Sequence, residues 1–199
     1  MIAFRHSDRR FPFLWESHDQ PPARWNANGD EPVQYLADTP DGAWAEFLRH
    51  EEITTPEDVA TIRRALWAVE LPEQPGDAPE LPVEVLIGGR ESYGACRHEA
   101  RRLHAGGAAG LVAPSAALRN GGAHGFRVDA GVQPGVARDG CVIVLFGPRP
   151  DLVGWPATIE GRPSPDLLPR VRHFDPIIRD DGGGARARST RRPARRTGR

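Results

Sequence analysis

The 199 residues balance 26 basic against 27 acidic side chains, every base is an arginine, and only two cysteines occur, Cys96 and Cys141. That length suits one domain burying roughly 70% of the surface its unfolded chain would expose, with no need of a disulfide framework or zinc staple, and the sparse cysteines fit a reducing cytoplasm. No apolar run approaches the ~20 residues of a membrane span, and Met1 to His6 lack the apolar core of a signal peptide, so no membrane partner is expected.

The near-neutral total conceals an asymmetry. From Arg179 to Arg199 eight arginines face two aspartates, a local charge of +6, and residues 1–178 are left at −7. We expect a domain over 1–178 and a disordered, arginine-rich tail over 179–199. A basic arm can bind nucleic acid or an acidic partner, but the acidic body argues against direct nucleic-acid binding by the folded domain.

In chain order, Ile2 to Phe4 reads as a first strand with Arg5 just beyond it, and residues 6–23 as a polar and aromatic loop anchored by Phe11, Phe13, Leu14 and Trp15. Gly29-Asp30-Glu31-Pro32 carries turn chemistry and Val33-Gln34-Tyr35-Leu36-Ala37 is rich in strand formers, so a short strand leaves a loop that holds Arg24. Thr39-Pro40-Asp41 is a helix start: an N-cap hydroxyl, proline at the first helical position and a carboxylate near the positive end of the dipole. Ala43, Trp44, Phe47 and Leu48 share one helical face, which places Glu46 at the border of the buried side. Thr55-Pro56-Glu57-Asp58 repeats the start signal and opens a short helix toward Arg63.

Residues 65–71 then read as a strand, 72–82 as an exposed proline-rich connection, and Val83-Glu84-Val85-Leu86-Ile87 as another strand. Tyr93, Cys96, Ala100 and Leu103 fall at helical spacing within 91–105, a helix that Gly106-Gly107 would end. Residues 108–115 approach a strand whose end presents Ser115. We expect an irregular glycine-rich loop over 119–139. Cys141 to Phe146 is a continuous apolar run suited to a strand buried on both faces, and residues 171–174 suit a last edge strand.

Four competing readings are weak. His98 and His104 lie six residues apart on different helical faces, unlike an i, i+4 zinc pair. Gly106 to Gly110 follows a helix instead of opening one and lacks the lysine of a P-loop. Ala113-Pro114-Ser115-Ala116-Ala117 is not a nucleophile elbow, and both cysteines sit in apolar patterns that suit packed thiols.

Ala23-Arg24-Trp25-Asn26, Val33 to Ala37, Ala43-Trp44-Ala45-Glu46 and Gly110 to Ala116, in this order and spacing, resemble the RES-domain family of bacterial proteins. That family is named for an arginine, a glutamate and a serine far apart in sequence, matched here by Arg24, Glu46 and Ser115. The tripeptide Arg90-Glu91-Ser92 is a coincidence of letters. The resemblance implies an α+β fold: one compact domain on a split, mainly antiparallel β-sheet resembling ADP-ribosyltransferases. It further implies NAD as a substrate, with no bound cofactor, and a toxin that degrades NAD or transfers ADP-ribose to a protein. The implied partner is a helix-turn-helix antitoxin of Xre type; self-association stays open.

Breaking the nicotinamide–ribose bond needs a cation on the pyrophosphate, a surface for the ring, and an anion beside the ribose as oxocarbenium charge develops. Arg24 suits the first task, because guanidinium binds phosphate oxygens bidentately. Tyr35 can stack on the ring or donate its hydroxyl. Glu46 can hold a ribose hydroxyl and stabilise the cationic transition state. Ser115 would bind substrate or fix Glu46, and Arg5 is a second phosphate ligand. Glycine usually precedes the arginine in this family, whereas Pro22-Ala23 stands here, and Asp139-Gly140-Cys141 occupies a region where asparagine is usual. A scaffold that binds nucleotide or a partner without turnover is therefore the non-enzymatic alternative.

Overall fold

A computed structural model describes residues 1–174; the tail expected over 179–199 and the last residues of the expected domain lie outside the described residues. Six strands form the main sheet in the order β4-β7-β2-β1-β3-β8, where β1 is Ile2–Ser7, β2 Val33–Ala37, β3 Arg64–Glu70, β4 Gly110–Pro114, β7 Cys141–Phe146 and β8 Gly154–Gly161. All pairings within it are antiparallel.

The sheet is split. β1 and β3 hold six consecutive register pairs and β2 and β7 five, but β1 meets β2 only at Phe4 and Ala37. Beyond that point the strands part, and the side chain of Gln34 fills the gap on one side. It is fully buried, its Oε1 accepts from Trp15 N at 2.7 Å and Arg5 Nη1 at 3.0 Å, and its Nε2 donates to Trp15 O at 2.7 Å. The loop of residues 8–23 is thus pinned to the split by a side chain standing in for a missing strand neighbour.

Helix α1, Pro40–His50, starts as its sequence dictates: Thr39 is extended and accepts from Gly42 N at 3.0 Å, with Pro40 in the first turn. Its face of Ala43, Trp44, Phe47 and Leu48 is buried against Ala37, Leu66 and Val59, the last from helix α2, Pro56–Thr61. Helix α4, Tyr93–Ala105, buries Cys96, Ala100 and Leu103 against Val144, Leu111 and Trp25, and Gly107, at φ +90°, turns the chain away after it. β7 is buried on both sides: Val142 and Val144 face α4, while Ile143 and Leu145 join Ala3, Leu36 and Val69 on the far face.

Four expectations need correction. Residues 83–87 form a helix, α3, Val83–Ile87, not a strand. Pro82 precedes its first turn, and only Leu86 is fully buried, so packing on α4 overrides the β-branched residues. The 119–139 loop contains a hairpin of β5, Phe126–Val128, and β6, Val132–Pro134. Residues 171–174 are no strand; Val171 makes a single bridge to Leu118, and the edge is the unanticipated β8. Phe11 is exposed and anchors nothing, whereas Phe13 packs on Trp67 with ring centroids 5.1 Å apart.

Candidate active site

Where the strands part, between α1, the 21–25 loop and the start of α4, lies a cavity of about 470 Å³ whose lining includes Arg24, Tyr35, Glu46, Arg49, Arg90 and Tyr93, with His6 and His50. Arg24, Tyr35 and Glu46, singled out in the sequence, therefore share one space. Ser115 stands behind it: its Oγ donates to Glu46 Oε1 at 3.3 Å and accepts from Ala117 N and Leu118 N at 3.2 and 3.0 Å. The serine is a turn former and a hold on the carboxylate at once.

Arg24 is anchored in the wall. Its Nη2 donates to Gly88 O at 2.6 Å, its Nη1 to Ser92 Oγ at 2.9 Å and Val85 O at 3.2 Å, and its guanidinium lies 4.8 Å from the centre of the Tyr93 ring. Two of those acceptors are carbonyls at the C-terminal end of α3, the negative end of the helix, and Val85 O also accepts from Gly88 N at 3.4 Å. Tyr35 hydroxyl donates to Asn26 Oδ1 at 2.9 Å and accepts from Trp25 N at 2.9 Å, which fixes the Arg24 loop to β2. Burial pushes the Tyr35 hydroxyl well above the usual phenol range, so it stays protonated.

Arg5 is not in that lining. Strand alternation turns it away from Phe4 and His6 toward Gln34, and it borders instead a slot of about 120 Å³ through the split, shared with His6, Tyr35 and Glu46, and a larger outer cavity of about 640 Å³ with Trp15 and Arg64. Burial draws its guanidinium down to about 10, still charged at neutral pH.

The cavity holds further groups that the sequence did not single out. Arg49, 2% exposed, donates to Ala116 O and, at 2.9 Å, to Gly88 O, the carbonyl that also binds Arg24. Burial lowers its affinity for the proton, with Glu46 opposing. Arg90 Nη2 reaches Glu52 at 3.1 Å, and Phe174 lies 4.3 Å from the Arg49 guanidinium and 4.5 Å from that of Arg90. His50 Nε2 is 3.6 Å from Glu46 Oε2, and burial lowers its pKa despite that carboxylate. A signal existed: Arg49 and His50 follow Glu46 by three and four residues, so the helical period puts all three on one side. Arg90 and Ser92 belong to the tripeptide set aside as coincidental, yet one lines the cavity and the other holds Arg24.

His98, Glu99 and His104 do not converge on a ligand; Glu99 accepts from Arg102 Nε at 2.7 Å and from Glu80 N at 2.7 Å. No group of three metal-binding side chains occurs among the described residues. Cys96 is fully buried, 3.8 Å from Arg24 Nη1.

The fold and site define a class: a mixed α/β domain on a mainly antiparallel six-stranded sheet, with an arginine-rich cavity at the split that includes the Glu46 carboxylate. The RES domain matches residues 2–165, and the chain belongs to the RES domain family. Among solved structures, a chain in the crystal structure of the M. tuberculosis MbcT–MbcA toxin–antitoxin complex has a similar fold, with a TM-score of 0.53 and 16% sequence identity over 86% of this chain and 88% of that one. No curated protein matches.

Proposed function

We propose that this chain is an NAD-consuming enzyme that cleaves the nicotinamide–ribose bond. The observation that carries the reading is Glu46: among the described residues it is the one carboxylate in the lining of a cavity of about 470 Å³ that also presents Arg24, Arg49 and Arg90, and Ser115 holds its Oε1 at 3.3 Å. An anionic ligand with a site of developing positive charge suits that combination, because the arginines favour the pyrophosphate while the carboxylate favours the oxocarbenium-like ribose. Tyr35 and Tyr93 offer aromatic surface for a heterocycle. As the bond to nicotinamide lengthens, the Glu46 carboxylate stabilises the ribosyl cation, and water or phosphate then attacks the anomeric carbon.

Incubation of the purified protein with NAD, with and without phosphate, tests this reading. Nicotinamide release is expected from the wild type and a loss of at least a hundredfold from Glu46→Ala; release no faster than that variant's would sink the idea. Transfer to a protein instead of to water or phosphate would appear as label from NAD on an acceptor.

A second reading has its own observation. The guanidinium of Arg24 is already bound to three protein oxygens, an arrangement that suits a structural arginine in a scaffold that binds nucleotide or a partner without turnover. NAD binding without nicotinamide release would favour it. The toxin–antitoxin setting of the MbcT–MbcA complex motivates the partner we propose, a small helix-turn-helix antitoxin. A neighbouring gene for such a protein, whose product coelutes with this chain and suppresses nicotinamide release, is the expected finding.

A further inference from the structure

His6 stands where β1 parts from β2, two residues beyond the last strand contact at Phe4. Among the described residues it alone borders the main cavity, the slot and the outer cavity together. Its ring is held from three sides: it stacks near Trp44 with centroids 6.3 Å apart and 15° between planes, meets Phe47 edge-on at 5.0 Å, and takes a hydrogen bond from β3.

That hydrogen bond decides the tautomer. Arg64 Nε lies 3.2 Å from His6 Nδ1, and an arginine N–H can only donate, so Nδ1 must be the accepting nitrogen and the ring proton sits on Nε2. Arg64 is itself fixed, 4.7 Å over the Phe47 ring. Nε2 has no partner among the described residues, and it is not one of the sealed, unpaired side-chain atoms, which are Trp25 Nε1, His124 Nδ1 and His173 Nδ1. A donor with a set direction and no acceptor among the described residues is thus left at the meeting point of three cavities, beside Tyr35 and Glu46.

We propose that His6 is a substrate-contacting residue whose Nε2–H donates to a neutral oxygen of the ligand, the carboxamide or a ribose hydroxyl at the nicotinamide end. The proposal rests on the NAD reading above. The charge state favours this use. Burial, then Arg64, Arg5 and His50, bring the imidazole down to about 3, so it is neutral at physiological pH. Around it stand Arg5 on its own strand, Arg64 on β3, Tyr35 on β2, and Glu46 and His50 on α1. An imidazolium at this place would repel the ribosyl cation that Glu46 stabilises; a neutral N–H orients the substrate without that repulsion. The arginines are left to the phosphates.

Nicotinamide release from NAD by wild type, His6→Leu, His6→Gln and His6→Asn tests this, with melting temperatures recorded alongside. The amide of glutamine reaches about as far as Nε2, whereas that of asparagine falls short. His6→Leu and His6→Asn should lose on the order of tenfold or more in kcat/KM, and His6→Gln should stay within about threefold of wild type, with the same profile between about pH 6 and 8. Wild-type kcat/KM in His6→Leu, or in His6→Asn should the leucine variant not fold, would overturn the proposal alone. So would equal loss in His6→Gln and His6→Asn with wild-type melting, which would assign the effect to ring packing. If the wild type binds NAD without turnover, the same ranking must appear in Kd; if it neither turns over nor binds NAD, the NAD reading falls and this proposal with it.

Discussion

Gln34 shows how much one polar side chain can decide. It lies in the middle of an apolar strand, is fully buried, and satisfies a backbone N–H, a backbone carbonyl and the half-buried Arg5 guanidinium. Gln34→Leu keeps the volume but strands all three, at about 3 kcal/mol of stability, measurable by urea unfolding. Glu99 makes a separate prediction. Its hydrogen bond from Arg102 holds the carboxyl down to about 2, below its unfolded value, so its contribution is present above roughly pH 4.5 and lost as pH falls toward 2. Glu99→Gln should flatten that acid limb in melting experiments across pH. At this scale the sequence was partly legible: Arg24, Tyr35, Glu46 and Ser115 could be singled out because their motifs, in order and spacing, resemble the RES-domain family. Arg49 and His50 could have been added from the helical period after Glu46, whereas Arg90 and His6 could not, because nothing local to either shows that the fold will turn it toward the cavity.

Among the elements, α1 was the most readable, since its cap, its proline and its apolar face all agree, and the chain there folds as those signals say. α3 was the least. Five residues with three β-branched side chains read as a strand, and only the packing of Leu86 against α4 shows otherwise. That difference bears on the site, since the Val85 and Gly88 carbonyls bind Arg24, and Gly88 binds Arg49 as well. A Cβ at Gly88 would come within 2.9 Å of Glu84 O and 3.1 Å of Ser92 Oγ. Gly88→Ala must therefore displace the turn that carries this carbonyl. We expect nicotinamide release to fall on the order of tenfold and the melting temperature to drop by roughly a few degrees, read by paired activity and melting measurements.

At the scale of the whole molecule, the strands β1, β2, β3, β4 and β7 and the burial of β7 followed from residue patterns, because strand-forming composition and a continuous apolar run are local properties, while the antiparallel pairing followed from the family resemblance. The order of the strands and the place of the split did not, since both depend on which strands meet over long sequence distances. β8, with its largely exposed residues and a proline, carries almost no pattern to detect.

The single contact between Phe4 and Ala37 has a dynamic consequence. The two halves of the sheet are panels joined at one backbone crossing and otherwise by side chains and the loop at Gln34. Amide hydrogens of β1 and β2 that face the gap should exchange with solvent much faster than those of β7, although all lie mid-sheet. Saturating NAD should slow the exchange of those gap-facing amides and leave β8 unchanged, which hydrogen–deuterium exchange would read directly. The seam, more than any loop, is then the part of the molecule that registers occupancy.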